Sequence, residues 1–61
     1  MLKEIREKKN LTQAQLSKKS GVNLRMIQKY EQGDRDISGA KVTTALALAE
    51  ALECSIYDLI K

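Results

Sequence analysis

Two glycines delimit the segment that most strongly constrains the fold of this chain. Between residues 11 and 33, apolar residues recur at intervals of three and four, which is the spacing of an α-helix with one buried face. Gly21 interrupts this pattern and Gly33 ends it. Because glycine adopts positive φ without a Cβ clash, both positions favour sharp helix ends. The segment is therefore predicted to be two short helices joined by a tight turn.

The rest of the chain has the same helical period. β-Branched residues are scattered and no hairpin dipeptide such as Asn-Gly occurs, so strands are not expected. A first helix with Leu2, Ile5 and the stem of Arg6 on its inner side is predicted to end near Lys9 and Asn10. The sequence thus predicts an all-α fold.

Four later helix starts share one pattern. In each, a Ser, Thr or Asn can cap the free backbone N–H groups, while apolar residues before and after it form a hydrophobic staple. Thr12 with Gln15, and Ser55 with Asp58, also approximate reciprocal capping boxes. With the first helix, these starts predict five helices. The four sets are Leu11/Thr12/Leu16, Val22/Asn23/Ile27, Ile37/Ser38/Val42 and Cys54/Ser55/Leu59.

The fourth predicted helix, roughly residues 39 to 52, is unusually rich in alanine and leucine. Its apolar residues lie on nearly all sides, so more than one side is expected to be covered. Two explanations remain open. Either this helix is the centre of the fold, or it also meets a second subunit.

Composition limits the chemistry available to the chain. Its 61 residues predict one domain, residues 1–61, with a thin core. Since there is no histidine and only one cysteine, no catalytic site, structural metal, cofactor or disulfide within the chain is expected. Cys54 is expected to be a small packing residue rather than a redox sensor. Without a spanning segment, a secretory signal or an evident small-molecule site, a cytoplasmic protein is predicted.

Charge is divided unevenly along the chain. Residues 8–30 contain six basic side chains and no acidic one, whereas residues 31–61 contain six acids and three bases. The net charge of +3 hides this division. A basic segment of this kind suits a polyanion, because each Lys or Arg placed at a phosphate releases condensed counterions. A solvated helix face is the plainer explanation of such a run.

The helix predicted after Gly21 has two different faces. At about 100° per residue, Met26, Ile27 and Tyr30 point to one side and are expected to pack. The other side carries side chains that reach outward and can pair with base edges: arginine and lysine with guanine, glutamine with adenine, and leucine with a thymine methyl. We therefore predict DNA base reading by Leu24, Arg25, Gln28 and Lys29.

The spacing L-T-Q-A-Q-L-x(4)-G-V-x(4)-I-x(3)-E-x-G resembles the Cro/lambda-repressor helix-turn-helix family, also called XRE-type. The resemblance covers essentially the whole chain and continues through Ala49, Leu52, Ile56 and Leu59. It implies a five-helix DNA-binding domain whose third helix lies in the major groove of double-stranded DNA. It also implies a homodimer on two half-sites about one helical turn apart. A nucleoid-associated regulator of transcription is the expected role.

The resemblance also implies roles for individual residues. Gln13 matches a family glutamine that touches a phosphate and braces the reading helix, and Arg6 and Glu31 match a structural ion pair between helices 1 and 3. Lys18 and Lys19 are expected either at phosphates or at the negative end of helix 2. Lys41 and Arg35 could flank the backbone, although Asp34 and Asp36 oppose this. The predicted DNA-backbone contacts are Thr12, Gln13, Asn23, Lys18, Lys19 and Gln32.

Three features depart from the family pattern. Ser20 replaces a usually apolar residue before the turn, and Ile37 stands where proline is common. Between Ser38 and Ala49 the chain has about three extra residues, which lengthens helix 4 or the loop before it. The half-site spacing is therefore left open.

The sequence favours a small, sequence-specific transcriptional regulator, most simply a repressor that occupies its operator. A second hypothesis is a protein-interaction module, such as an antitoxin or adaptor, that uses the same outer helix face. A third is a non-specific nucleoid protein. The chain is consistent with either a whole protein or the DNA-binding part of a longer regulator.

Overall fold

The computed structural model describes residues 2–34 and 37–60, and five α-helices lie within these ranges. No strand occurs in them, so the prediction of an all-α fold with five helices is confirmed. None of the helices in this part of the chain has the length and apolar character needed to cross a membrane. The helices are α1 (Leu2–Lys8), α2 (Gln13–Ser20), α3 (Leu24–Gln32), α4 (Val42–Leu52) and α5 (Ile56–Ile60), with a 3-10 turn at Ile37–Gly39.

The predicted caps form at the ends of α2. The Gln15 N–H donates to Thr12 Oγ1 at 3.0 Å, and the Thr12 N–H donates to Gln15 Oε1 at 2.8 Å, which completes a capping box. At the other end, Gly21 has a φ of +77°, and its N–H donates to the Ser17 carbonyl at 2.8 Å. The chain therefore turns at Gly21 as predicted, and Gly33 with a φ of +83° ends α3 in the same way.

Ser55 and Asp58 also cap α5, but the box is incomplete, because Ser55 Oγ accepts from Tyr57 and not from Asp58. The Ser55 N–H donates to Asp58 Oδ2 at 3.1 Å, and the Tyr57 N–H donates to Ser55 Oγ at 3.2 Å. A helix of five residues has little stability of its own, so these bonds and the buried Leu59 hold it in place.

The helices enclose one small core. α4 is at its centre, because it packs against α2 on one side and against α5 on another. α2 also packs against α3, and α1 contributes the buried Leu2. The large side chains that are fully buried are Leu16, Ile27, Leu48, Leu52 and Leu59.

The predicted start of helix 4 is wrong. Ser38 was expected to cap it between Ile37 and Val42, but residues 37–39 form a separate 3-10 turn, and α4 begins at Val42 with Lys41 at its N-cap. The reason is the burial of Ile37, which packs this turn against α5 as part of the core. The Ala40 N–H closes the turn on the Ile37 carbonyl at 3.0 Å.

α4 is not covered on all sides within one chain. Its inner side buries Ala45, Leu48 and Leu52, whereas Val42 is 68% exposed and Leu46 is 45% exposed. The central position of α4 therefore explains only part of its apolar composition.

The C-cap of α4 provides a test of backbone strain. Glu53 has a φ of +56°, a left-handed conformation that costs a residue with a Cβ roughly 1–2 kcal/mol. We expect Glu53→Gly to raise the free energy of unfolding by about 1 kcal/mol, measured by urea denaturation at fixed protein concentration.

Glu53→Ala is the matched control, because it removes the carboxylate and keeps the strained Cβ. The ion pair from Lys9 Nζ to Glu53 Oε1, 3.8 Å long and exposed, is worth little. Equal stabilisation by the glycine and alanine variants would contradict the strain explanation.

Candidate nucleic-acid interface

The turn between α2 and α3 is held by side-chain hydrogen bonds. Ser17 Oγ donates to the Val22 carbonyl at 2.6 Å, and the Val22 N–H donates to Ser20 Oγ at 3.1 Å. At the start of α3, the Arg25 N–H donates to Asn23 Oδ1 at 2.7 Å. Ser20 therefore has a structural role here. These bonds fix where α3 begins relative to α2.

α3 presents a polar face away from the core. Ile27 is fully buried, with Met26 and Tyr30 half-buried beside it, which matches the predicted inner side of the helix. The predicted base-reading residues lie elsewhere on the helix: Leu24 and Arg25 are exposed, whereas Gln28 and Lys29 are half-buried.

The C-terminal part of α3 is fastened by a cluster around Glu31. Arg6 of α1 donates two hydrogen bonds to this carboxylate, from Nε to Oε2 at 2.7 Å and from Nη2 to Oε1 at 3.0 Å. Gln13 Nε2, at the start of α2, also donates to Glu31 Oε1 at 3.0 Å. A third bond of Arg6, from Nη1 to the Leu11 carbonyl at 2.6 Å, holds the loop between α1 and α2. One side-chain cluster thus joins three helices and a loop.

This cluster is nearly closed to water, since the Arg6 and Glu31 side chains are 11% and 4% exposed. Burial by itself raises the pKa of Glu31, but the hydrogen bonds from Arg6 and Gln13 and the Arg6 charge outweigh it. The pKa of Glu31 is consequently lowered. The bond to Glu31 in turn raises the pKa of Arg6. Both side chains are therefore charged at neutral pH.

The predicted backbone contacts fall into two groups. Thr12 and Gln13 begin α2, close to the C-terminal end of α3, as the bond from Gln13 to Glu31 shows. Gln32 is exposed at that end of α3. Lys18 and Lys19 are exposed in the last turn of α2, and Asn23 lies across the turn from them at the start of α3. The two groups thus lie at the two ends of α3.

Two other residues were considered as backbone contacts. Lys41 is exposed before α4, and Arg35 lies outside the described residues.

Sequence reasoning missed two supporting contacts. The bond from Ser17 to the Val22 carbonyl was not anticipated, although a serine within one turn of a glycine is a usable signal for such bracing. The bond from Arg6 to the Leu11 carbonyl had no signal in the sequence, because it depends on where the α1–α2 loop passes.

A concave region lies on the α1 and α5 side of the molecule. It is an open groove of about 600 Å³ lined by Lys8, Lys9, Cys54 and Asp58, among others. Burial and the Asp58 carboxylate raise the pKa of the Cys54 thiol, so the reactive thiolate is disfavoured there. Within residues 2–34 and 37–60, no group of His, Cys, Asp or Glu side chains is arranged to hold a metal ion.

Comparison with protein families identifies this architecture. A family model described as helix-turn-helix matches residues 2–59, which span α1 to α4 and most of α5. The matched region includes both helices around Gly21 and the Glu31 cluster. Comparison with curated proteins and with solved structures gives no match.

The lowered pKa of Glu31 predicts a dependence of stability on pH. Since the pKa is lower in the folded state, the pair stabilises the fold fully above about pH 4.3, the usual pKa of glutamate. This stabilisation is lost as the pH falls through the lower folded pKa. We expect wild-type protein to lose stability as the pH falls below about 4.3, and Glu31→Gln to lose less, in urea denaturation at a series of pH values.

Asp34→Asn is the control, because Asp34 is exposed just after α3 and has no bond to Arg6. This variant should keep the wild-type pH dependence. An unchanged acid dependence in Glu31→Gln would show that the cluster does not stabilise the fold through its charge.

Proposed function

Because the chain belongs to the helix-turn-helix family and is a DNA-binding regulator, we propose that it recognises specific double-stranded DNA and represses transcription by occupying its operator as a homodimer. α3 lies in the major groove in this proposal. The action is binding rather than catalysis, and it takes place in the cytoplasm, on the nucleoid.

The observation that carries this proposal is the outer face of α3. Arg25, Gln28 and Lys29 offer the donors that suit guanine and adenine edges, and Leu24 offers an apolar contact for a thymine methyl. The helix that carries them is fixed at both ends, by the Asn23 cap and by Glu31. Fixed helix ends favour base reading, because hydrogen bonds to base edges require a precise register.

The proposed contacts to the DNA backbone use side-chain N–H groups that are not engaged in bonds within the protein. Gln13 uses one N–H of its amide for Glu31, and we propose that the second reaches a phosphate. Asn23 accepts from the Arg25 N–H through Oδ1, so its amide N–H groups are the ones proposed to meet DNA. We propose that Thr12, the N-cap beside Gln13, also lies near a phosphate.

The exposed ends of α2 and α3 complete the proposed backbone contacts. Lys18 and Lys19 supply positive charge beside the turn, and Gln32 supplies an amide at the far end of α3. Contacts on both sides of α3 would fix its register on the duplex, while the base-reading side chains supply the sequence preference.

The proposed function is tested by selecting bound duplexes from a random DNA pool at physiological salt and then sequencing them. Enrichment of an inverted repeat supports specific reading by a dimer. Retention without enrichment supports the non-specific nucleoid protein instead. No retention at all favours the protein-interaction module.

Base-reading and backbone residues should respond differently to substitution. We expect Arg25→Ala to relax preference at one base position by about 1–3 kcal/mol, measured as the affinity difference between the selected duplex and single-base variants of it.

Lys18→Ala is the matched control, since it removes another exposed basic side chain from the neighbouring helix. It should weaken all duplexes alike and reduce the slope of log K against log salt by about 0.9. If Arg25→Ala also weakened every duplex equally, Arg25 would be a backbone contact and not a base reader.

A further inference from the structure

One exposed lysine of α1 is not among the proposed DNA contacts. Lys3 is the second residue of α1, and its side chain is exposed. That side chain makes no hydrogen bond or ion pair with another described residue, although Glu7 follows one turn later. Lys8 and Lys9 line the groove beside α5, where Lys9 pairs with Glu53 at 3.8 Å. Lys3 thus differs from them in both position and pairing.

The helical period of α1 places Lys3 on the side that faces the Glu31 cluster. At about 100° per residue, Lys3 is roughly 60° from Arg6 around the helix axis and roughly 140° from Lys8. Arg6 reaches Glu31 from this side, and α1 packs against α3. Lys3 therefore lies one turn before Arg6 on the cluster side of α1, whereas Lys8 lies on the groove side.

The electrostatics of Glu31 agree with this position. Burial raises the pKa of Glu31, whereas the hydrogen bonds from Arg6 and Gln13 and the Arg6 charge lower it. The Lys3 charge lowers this pKa as well. Since the interaction of two charges weakens with their separation, Lys3 acts on the carboxylate from nearby. It thus belongs to the corner of the molecule where α1, the start of α2 and the end of α3 meet.

The proposed backbone contacts at this corner are all uncharged. They are Thr12, Gln13 and Gln32, whereas the other end of α3 has Lys18 and Lys19. Affinity for a phosphate comes mainly from a positive charge that replaces counterions. The proposed contacts are therefore electrostatically uneven, with positive charge beside one end of α3 only.

Arg6 does not provide the missing charge. Its guanidinium donates two hydrogen bonds to Glu31 and one to the Leu11 carbonyl, and its side chain is only 11% exposed. The Arg6 and Glu31 charges also compensate one another. Lys3, exposed and one turn away on the same side, is the cation that can meet a phosphate there.

We propose that Lys3 contacts the DNA backbone beside Gln13, so that the phosphate contacts extend from α2 and α3 onto α1. This inference rests on the proposed function and adds a cation to its contacts. The ammonium group acts as a point charge on a flexible stem, so it needs no exact geometry to pair with a phosphate. The contact contributes affinity and register but no sequence preference. Positive charge then lies beside both ends of α3.

Lys3→Gln tests this contact through the salt dependence of DNA affinity. Affinity is measured over a series of salt concentrations, for the selected duplex and for an unrelated duplex of the same length. Loss of one phosphate contact should reduce the slope of log K against log salt by about 0.9, so the advantage of wild type should shrink about eightfold per tenfold rise in salt. Both duplexes should show this change. An unchanged slope would overturn the proposal.

Lys8→Gln is the matched control, because it removes the same charge from the same helix on the groove side. It should keep the wild-type slope. Lys3→Arg keeps the charge and should keep the slope too. If Lys8→Gln reduced the slope as much as Lys3→Gln, Lys3 would act only through the net charge of the protein, and the proposed contact would be wrong.

Protection of lysine amines in the wild-type protein provides a test without substitution. The protein is acetylated with and without bound duplex, and each lysine is followed by peptide mass spectrometry. An amine held at a phosphate is shielded from the reagent, so DNA should slow the acetylation of Lys3 and leave that of Lys8 unchanged. Equal reactivity of Lys3 with and without DNA would contradict the proposed contact.

These measurements distinguish failure of the Lys3 contact from failure of the proposed function. If wild type enriches a sequence and Lys3→Gln keeps the wild-type slope, the Lys3 contact is wrong and specific DNA reading stands. If wild type binds duplexes without preference and Lys3→Gln reduces the slope, specific reading is wrong and the Lys3 contact stands. Wild type that binds no duplex at any salt concentration would overturn both.

Discussion

The hydrogen-bonded ion pair between Arg6 and Glu31 is the interaction on which the geometry of the molecule depends. Three helices of seven to nine residues meet at it, and helices of that length are marginal in isolation. A 61-residue chain also has a small core and no disulfide within the chain to compensate. This nearly buried pair makes three further hydrogen bonds. Because hydrogen bonds are directional, they fix the orientation of α1, α2 and α3 relative to one another more strictly than apolar packing does. Removing either side chain would leave the charge of the other buried without a partner, which destabilises the fold.

The candidate interface follows from this arrangement. Glu31 fixes the end of α3, and the Ser17, Ser20 and Asn23 bonds fix its beginning. Ile27 occupies the core between these two points. The polar outer face is thereby held on a rigid support, and much of that support comes from residues with no proposed DNA contact, such as Arg6, Ser17 and Ile27. Separating support from recognition allows outer residues such as Arg25 to vary with little cost to stability.

α4 has two different sides. Its inner side joins α2 to α5 through Leu48 and Leu52, whereas Val42 and Leu46 are exposed on its outer side. The same helix thus serves the core on one side and leaves apolar side chains exposed on the other.

The sequence determined much of the local structure, because caps, glycine turns and helical periods are encoded within a few residues. Thr12 with Gln15, Gly21, Gly33 and the inner face of α3 were all predictable in this way. The start of α4 was not, since it depends on where the side chain of Ile37 finds space in the core. The Leu11 carbonyl contact and the exposure of Val42 likewise depend on how distant segments pack. Local hydrogen bonding thus set the helices, and only tertiary packing decided which of their sides remain open.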